Sequence, residues 1–344
     1  MINRRETEWP AEECEPVSAC PVCNGTERRL LHNRLRDHLF SAQGNWNLYA
    51  CSACGSAYLD PRPTPQSIGR AYSSYYTHSI NDAVGLLKQL SRRARNGYIN
   101  RHWNAELQPA SAALGAVVAC IPAMKAKVDH ELMRSFKHSP KGQHLLDVGC
   151  GSGQFLFLIK HAGWQVKGID FDPQAVAAAR QLGLDVDLGG LDILSGQQDA
   201  LDAITLSHVI EHVYNPVEAL KQCFRLLRSG GKLWIETPNL ESTGHGLYGR
   251  NWRGLEPPRH LVLFTWMSLK SSLEQAGFID IEPAPWRPEF KPLAIASRQI
   301  AALDTQGVLN PYAADVAVET RHAEAKARKL PESREFITFT ARKP

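Results

Sequence analysis

The sequence predicts an α/β fold, a mainly parallel sheet flanked by helices, with a small cysteine-rich module ahead of it. Three observations carry this. From about residue 144 onward, short apolar strands alternate with helical runs. One of these strands breaks into Gly149-Cys-Gly151-Ser-Gly153 and is followed by an apolar helical run, Phe155 to Ile159. Two C-x-x-C pairs stand upstream.

The 344 residues suffice for two domains and a small extra module, at roughly 100–200 residues per domain. Hydrophobic residues make up 43% and charged residues 22%, proportions of an ordinary globular chain rather than a disordered one. A net charge of +4 is too weak to argue for nucleic acid. The segment Met1–Pro10 is polar and charged, unlike a secretion signal, so a cytoplasmic protein is expected. The most apolar stretch, Ala110–Met124, contains Ser111 and Pro122 and falls short of the about 20 residues a bilayer span requires. It reads as a buried or interfacial helix, which restricts membrane contact to the peripheral kind.

Of the eight cysteines, four form the pairs Cys20-Pro-Val-Cys23 and Cys51-Ser-Ala-Cys54. Each pair offers two thiolates on one turn, and two such turns supply the four sulfurs of a closed, structural zinc site. The competing reading is reduced free thiols or a redox pair. Residues 24–50 between the pairs leave room for one inserted hairpin, and Gly55 suits a turn that needs positive φ. Cys14 lies close by without a C-x-x-C partner. Residues 1–60 are therefore read as a zinc-ribbon-like module, and residues 61–140 as an extended linker and helical segment. The linker begins with the stiff stretch Asp60-Pro-Arg-Pro-Thr-Pro65. Tyr72, Tyr75 and Tyr76 form an aromatic cluster that packs on the next domain or walls a substrate pocket.

Residues 141–344 form the α/β domain. Asp147 stands on the first strand, two residues before the first glycine. A dinucleotide site instead starts its glycines directly after the strand and seats a pyrophosphate on the helix N-terminus. An acid beside the loop suits a cationic ligand. The second strand, Trp164 to Asp170, ends in a carboxylate placed to accept ribose hydroxyls. Asp172 and Pro173 fit the cap and first position of the next helix. Further strands are expected at Leu184–Leu188, Ala200–Ser207 and Lys232–Glu236. Between the last two, a helix over about 217–228 is stopped by Ser229-Gly230-Gly231.

Leu145–Phe155, Gly168–Pro173, Asp202–Pro216 and Leu226–Asn239 resemble the successive motifs of class I S-adenosylmethionine (SAM)-dependent methyltransferases, a likeness covering roughly residues 141–286. The resemblance implies a Rossmann-like seven-stranded sheet whose last strand is antiparallel. Phe278–Trp286 and Glu335–Arg342 would be its last two strands, and residues 287–334 an insertion acting as a lid or oligomer surface. It implies SAM as cofactor, held by Asp147, Gly149, Cys150, Gly151, Gly153, Phe155, Asp170, Phe171, Gly190, Leu191, Ser207 and His208. The N-terminal pattern is similar to bacterial methyltransferases with a zinc module, some acting on sugars, cell-surface glycans or natural products.

The resemblance puts His208, Glu211, His212 and His260 forward as catalytic residues. An acid–x–x–acid–His pattern with a later histidine is similar to metal-dependent O-methyltransferases, but His208 stands where those carry Glu. In metal-free relatives the Glu-His pair only orders its loop. Arg250, Trp252, Arg253 and Arg259 suit phosphate or carboxylate recognition and sugar stacking, unless their segment is an ordinary solvated loop. The expected activity is methyl transfer to oxygen of a small-molecule or glycan acceptor. Its alternatives are RNA methylation, for which no aromatic-basic motif speaks, non-catalytic SAM binding, and a dehydrogenase.

Overall fold

The computed structural model describes residues 8–73, 85–132, 134, 136, 142–304 and 315–344. Five short strands come first: β1 (Cys14–Glu15), β2 (Arg28–Leu35), β3 (Trp46–Cys51), β4 (Ala57–Leu59) and β5 (Arg62–Pro63). β2 and β3 pair antiparallel, Arg28 opposite Cys51, which is the hairpin expected between the two C-x-x-C pairs. The period of two along β3 buries Trp46, Leu48 and Ala50. The proline-rich stretch is extended as expected, and it is also paired. Cys14 opposes Pro63, while the Asp60 carboxylate accepts the Val17 N–H at 2.7 Å and binds Arg28 at 2.7 Å.

Helices α1 (Leu86–Trp103), α2 (Ala112–Cys120) and α3 (Pro122–Glu131) follow. α1 and α2 meet backbone to backbone. A Cβ at Gly97 would lie 2.0 Å from the Ser111 carbonyl oxygen, and one at Gly115 would lie 2.4 Å from the Gly97 carbonyl carbon. The apolar stretch is split at Pro122, which starts α3, and no helix among the described residues is long and apolar enough to cross a membrane.

The α/β part runs β6 (His144–Val148), α4 (Gln154–His161), β7 (Gln165–Asp170), α5 (Pro173–Gln181), β8 (Val186–Leu188), β9 (Leu201–Ser207), α6 (Pro216–Leu226) and β10 (Leu227–Pro238). It continues with α7 (Thr243–Tyr248), β11 (Val262–Leu263), α8 (Trp266–Gln275), β12 (Ile279–Pro283), α9 (Phe290–Leu303), α10 (Val316–Lys329) and β13 (Phe336–Arg342). Seven strands form one sheet in the order β12-β13-β10-β9-β6-β7-β8. β6 is parallel to β7 and β9, β7 is parallel to β8, and β12 and β13 pair antiparallel. This is the sheet expected, and α9 and α10 occupy the segment before its last strand.

Two features differ from expectation. Ser229-Gly230-Gly231 is no helix stop, because α6 has already given way to β10 at Leu227. Gly230 and Gly231 instead bind the chain end, through Gly230 N–H to Lys343 O (3.0 Å) and Lys343 N–H to Gly231 O (2.9 Å). β11 joins no neighbour in the large sheet. It pairs with β4, Val262 opposite Tyr58, as the edge of a four-stranded sheet β11-β4-β3-β2.

The chain packs as two compact units. One comprises residues 1–76, 207–224 and 235–342; the other comprises 77–206, 225–234 and 343–344. The second is cored by Leu145, Leu156, Ile159, Trp164, Val176 and Ala203, with Tyr98 and Ile99 of α1. In the first, Phe290, Ala294 and Ala323 form the contact between α9 and α10.

Candidate active site

In the second unit, the glycine loop follows β6 with Gly149, Gly151 and Gly153 at φ of 67°, 54° and 76°, values open to glycine and strained for other residues. A Cβ on Gly151 would meet nothing within 4 Å, so this glycine faces open space. A Cβ on Gly153 would lie 2.4 Å from Leu184, so that glycine serves packing. Asp170 closes the loop: one carboxylate oxygen accepts the Gly151 N–H at 2.8 Å and the other the Asp172 N–H at 2.9 Å. Each oxygen keeps a second lone pair for a ligand hydroxyl. Asp172 caps α5 by accepting the Gln174 N–H, as expected. Phe171 is exposed with its ring against Gly190, and Leu191 is buried at the next turn. Cys150 and Phe155 turn inward, Cys150 against Gly168, so only their backbones remain for a ligand.

Asp147 is fully buried on β6. Its Oδ1 accepts the Thr205 hydroxyl at 2.6 Å and faces Arg134 Nη1 at 3.3 Å. Its Oδ2 has no hydrogen-bond partner among the described residues. Burial raises its pKa against the opposing effects of Arg134 and Thr205. Arg134 lies 4.4 Å over the Phe155 ring. Sequence reasoning missed it, since a single arginine in the helical segment has no motif around it.

In the first unit, Ser207 ends β9 and His208 adopts φ of 56°, a strained conformation for a non-glycine residue. The His208 N–H donates to Glu236 O at 2.9 Å. Its ring lies between two carboxylates, Nδ1 at 3.4 Å from Glu211 and Nε2 at 3.3 Å from Glu236. Burial opposes its positive charge, but the hydrogen bonds to Glu211 and Glu236 outweigh burial and raise its pKa to about 10. The ring keeps 39% exposure, so water shares in stabilising the imidazolium. Glu236 is buried on β10, where burial is outweighed by His208 and Arg287 and its pKa falls to about 2. It also accepts the Thr338 hydroxyl at 2.6 Å and pairs with Arg287, which pairs in turn with Glu289.

Glu211 is fully buried. Its Oε2 accepts the Thr237 hydroxyl at 2.9 Å, whereas Oε1 faces His208 Nδ1 at 3.4 Å and His260 Nε2 at 4.0 Å. Burial pushes its pKa up, yet the hydrogen bond from His208 holds it below the usual range. Burial lowers His260 to about 4, so its ring is neutral, and its Nδ1–H donates to Gly254 O at 2.8 Å. His212 Nδ1–H donates to Arg259 O at 2.9 Å, with the Tyr72 hydroxyl 3.2 Å from the same nitrogen. Both Nε2 atoms therefore carry lone pairs when the rings are neutral. Ligand atoms of Glu211, His212 and His260 lie within 4.8 Å of one another, a set that can hold a metal ion.

The four cysteines of the C-x-x-C pairs also converge within 4.8 Å. Cys20 and Cys54 sulfurs are 3.7 Å apart, those of Cys23 and Cys51 3.5 Å. Each knuckle turns on a positive-φ residue, Asn24 (61°) and, as expected, Gly55 (76°). Four thiols on two tight turns fit tetrahedral zinc. The segment around Trp252 corrects its sequence reading. Trp252 is buried and donates to Glu335 at 3.0 Å, so it offers no face to a sugar. Arg259 is buried between Asp37 and Glu256, Arg250 is bound to Asp304, and Arg253 to Glu256. Tyr72 is half-exposed beside His212, while Tyr75 and Tyr76 lie outside the described residues.

Residues 123–282 match the family model of a methyltransferase domain. The ubiquinone biosynthesis O-methyltransferase of Xanthomonas oryzae pv. oryzae is 36% identical over 105 residues, 28% of this chain and 44% of that protein. Its counterpart from Coxiella burnetii is 33% identical over 105 residues, 29% of this chain and 45% of that protein. The chain thus spans less than half the length of these curated relatives. A solved SAM-dependent methyltransferase from Archaeoglobus fulgidus is 20% identical with a TM-score of 0.44, covering 72% of this chain and 98% of that one. The segment 123–282 that matches the methyltransferase domain model holds the glycine loop and strands β6 to β11.

Proposed function

We propose that this protein transfers the methyl group of SAM to an oxygen of a small-molecule or glycan acceptor. One observation carries the cofactor assignment: a buried Asp147 oxygen without a partner among the described residues, beside the Arg134 guanidinium, at a glycine loop open on one side. An acid next to a base suits the ammonium and carboxylate of SAM's amino-acid end. Asp170 takes the ribose hydroxyls with its remaining lone pairs, and exposed Phe171 offers its ring to the adenine. SAM, when bound, supplies the activated methyl on its sulfonium.

The acceptor's proton falls to the imidazoles. The Nε2 lone pairs of His212 and His260 are free to accept it, and the Glu211 carboxylate stabilises the resulting charge. His208, held as an imidazolium by Glu211 and Glu236, keeps these two buried carboxylates compensated. The names of the relatives, O-methyltransferases, favour oxygen.

A second reading puts a divalent ion on Glu211, His212 and His260. It is favoured by the convergence of the Glu211 carboxylate with the two Nε2 lone pairs. Such an ion would lower the pKa of an acceptor hydroxyl. Two nitrogens and one oxygen suit a transition ion better than magnesium. Zinc on the four cysteines, by contrast, would be structural, with no open position.

The test is transfer of labelled methyl from SAM into fractionated cell extract, with and without a chelator. Label in a glycan or small-metabolite fraction supports the proposal. Label in RNA replaces the acceptor class, and SAM binding without transfer to any fraction leaves a non-catalytic SAM-binding protein. Loss of transfer on chelation, restored by a transition ion at unchanged cysteine-bound zinc, selects the second reading.

A further inference from the structure

The cysteine-bearing segment and the loop carrying His260 share one packed unit, joined at more than the β4–β11 pair. Leu59 N–H donates to Leu261 O at 3.1 Å, and Leu261 N–H donates to Glu211 O at 2.8 Å. Arg259 lies in the same stretch and is only 1% exposed. Its guanidinium donates through Nε to Glu256 (2.9 Å), through Nη1 to Ala71 O (2.8 Å) and through Nη2 to Asp37 (2.8 Å). Asp37 is itself a hub: it accepts the N–H groups of Leu39, Phe40 and Ala42 at 3.1, 3.0 and 3.1 Å. The Phe40 ring then lies 4.9 Å from the guanidinium.

Arg259 also offers its main-chain carbonyl to His212 Nδ1. A carbonyl only accepts, so it fixes the proton on Nδ1 and leaves the Nε2 lone pair outward. The Tyr72 hydroxyl beside the same nitrogen can donate. If the carbonyl drew back, that hydroxyl would claim Nδ1 and move the proton to Nε2. Two neighbours thus compete for one nitrogen, and the better-anchored one decides the tautomer.

We propose that Asp37, on the hairpin loop of the cysteine module, is a positioning residue that anchors Arg259 and thereby sets the tautomer of His212. The proposal rests on the reading of His212 as a group that needs its Nε2 lone pair. It makes the module part of the reaction centre rather than an appendage.

The tautomer is read directly by NMR of the full chain with 15N-labelled histidine, at a pH where His212 is neutral. The unaltered protein is expected to hold the proton on Nδ1. In Asp37→Asn, whose remaining oxygen still accepts the Leu39 and Phe40 N–H groups of the turn, Nε2–H should become the major form. The kcat should fall about tenfold, a fraction of what a general base contributes, while the KM for SAM stays within about twofold. Adding Tyr72→Phe to Asp37→Asn removes the competing donor and should restore the Nδ1–H form, a rescue that general loosening of the fold would not produce. Should Asp37→Asn fail to fold, Arg259→Lys provides the same reading, since one ammonium cannot span three acceptors in a plane. An Nδ1–H tautomer that persists in the folded variant overturns the proposal. A tautomer that switches in a chain without methyl transfer supports it and sinks the proposed activity instead.

Discussion

The glycine loop and the histidine–carboxylate cluster are both built on strand ends, yet they treat charge in opposite ways. The loop leaves charge open: Asp147 keeps one buried oxygen without a partner among the described residues, and Asp170 spends one lone pair per oxygen on the backbone. The cluster closes charge on itself, in a series from Glu211 through His208, Glu236 and Arg287 to Glu289. The first arrangement suits a charged ligand. The second is a self-compensated framework beside two imidazoles that the Arg259 and Gly254 carbonyls orient. The loop should therefore tolerate substitution in stability but not in affinity, and the cluster the reverse.

The largest effect should come from the module that braces the cluster. Cys51→Ser with Cys54→Ser removes two of four converging sulfurs. Structural zinc contributes on the order of 10 kcal/mol in small zinc-folded peptides, so the module is expected to unfold. Elemental analysis should fall from about one zinc per chain to none, the ratio for a single four-cysteine site. Zinc surviving this change would have to sit elsewhere, and the histidines would be the first place to look.

Next in size is Glu236→Gln. It leaves Arg287 buried, and the part-exposed His208 beside it, with one carboxylate fewer, a loss at the low end of the ~3–5 kcal/mol for a broken buried ion pair because water screens His208. Denaturant unfolding should record it at neutral pH. The sign with acid follows from the depressed pKa of about 2, against 4.5 for a free glutamate. Stability from this group is fully present above 4.5 and lost as pH falls toward 2. The variant should therefore approach the unaltered protein in stability below pH 3, and a gap that stays constant across that window would contradict the assignment.

Glu335 tests the same framework with the opposite sign. It is buried against Trp252 and Gly244, and burial raises its pKa to about 7 despite those hydrogen bonds. An acid whose folded pKa lies above its unfolded value binds more protons when folded, so stability declines as pH rises from 4.5 to about 7. Replacing Glu335 with Gln should flatten that decline, by ~2–3 kcal/mol for a shift of this size. Melting curves at pH 5 and pH 8 settle it: an equal difference between the two pH values for both proteins would place Glu335 outside this account.

The two regions also differed in legibility. The loop is a local object, its glycines, Asp147 and Asp170 spaced along one strand–turn–helix–strand, so pattern alone located it. The cluster is assembled across the chain, and pattern located only its consecutive part, His208 to His212, and His260. Nothing local marks Glu236 as the partner of His208, or Arg287 as the partner of Glu236. The same holds for Trp252, whose Gly- and Pro-rich neighbourhood resembles a surface loop although Glu335 holds it inside. β11 was missed because two residues carry no period, and its strand character comes from the edge of β4. Arg134 is the exception on the loop side, a residue brought to Asp147 by helices rather than by the motif.

The smallest effect, and the sharpest on the comparison, is expected at the open carboxylates. Asp147→Asn keeps the shape and the Thr205 bond while removing the charge offered to an ammonium. A lost charge-assisted hydrogen bond is worth about 1.5–3 kcal/mol, or roughly ten- to a hundredfold in SAM affinity. Asp170→Ala removes the ribose acceptor and also frees the Gly151 and Asp172 N–H groups, so the loop loosens as the contact is lost. Both variants should bind SAM more weakly by calorimetry while melting within a few degrees of the unaltered protein, because Asp147 is already raised in pKa by burial and its ionisation is a cost to the fold. A variant that melts far lower yet binds SAM unchanged would put Asp147 with the self-compensated framework and leave the loop without its cationic ligand.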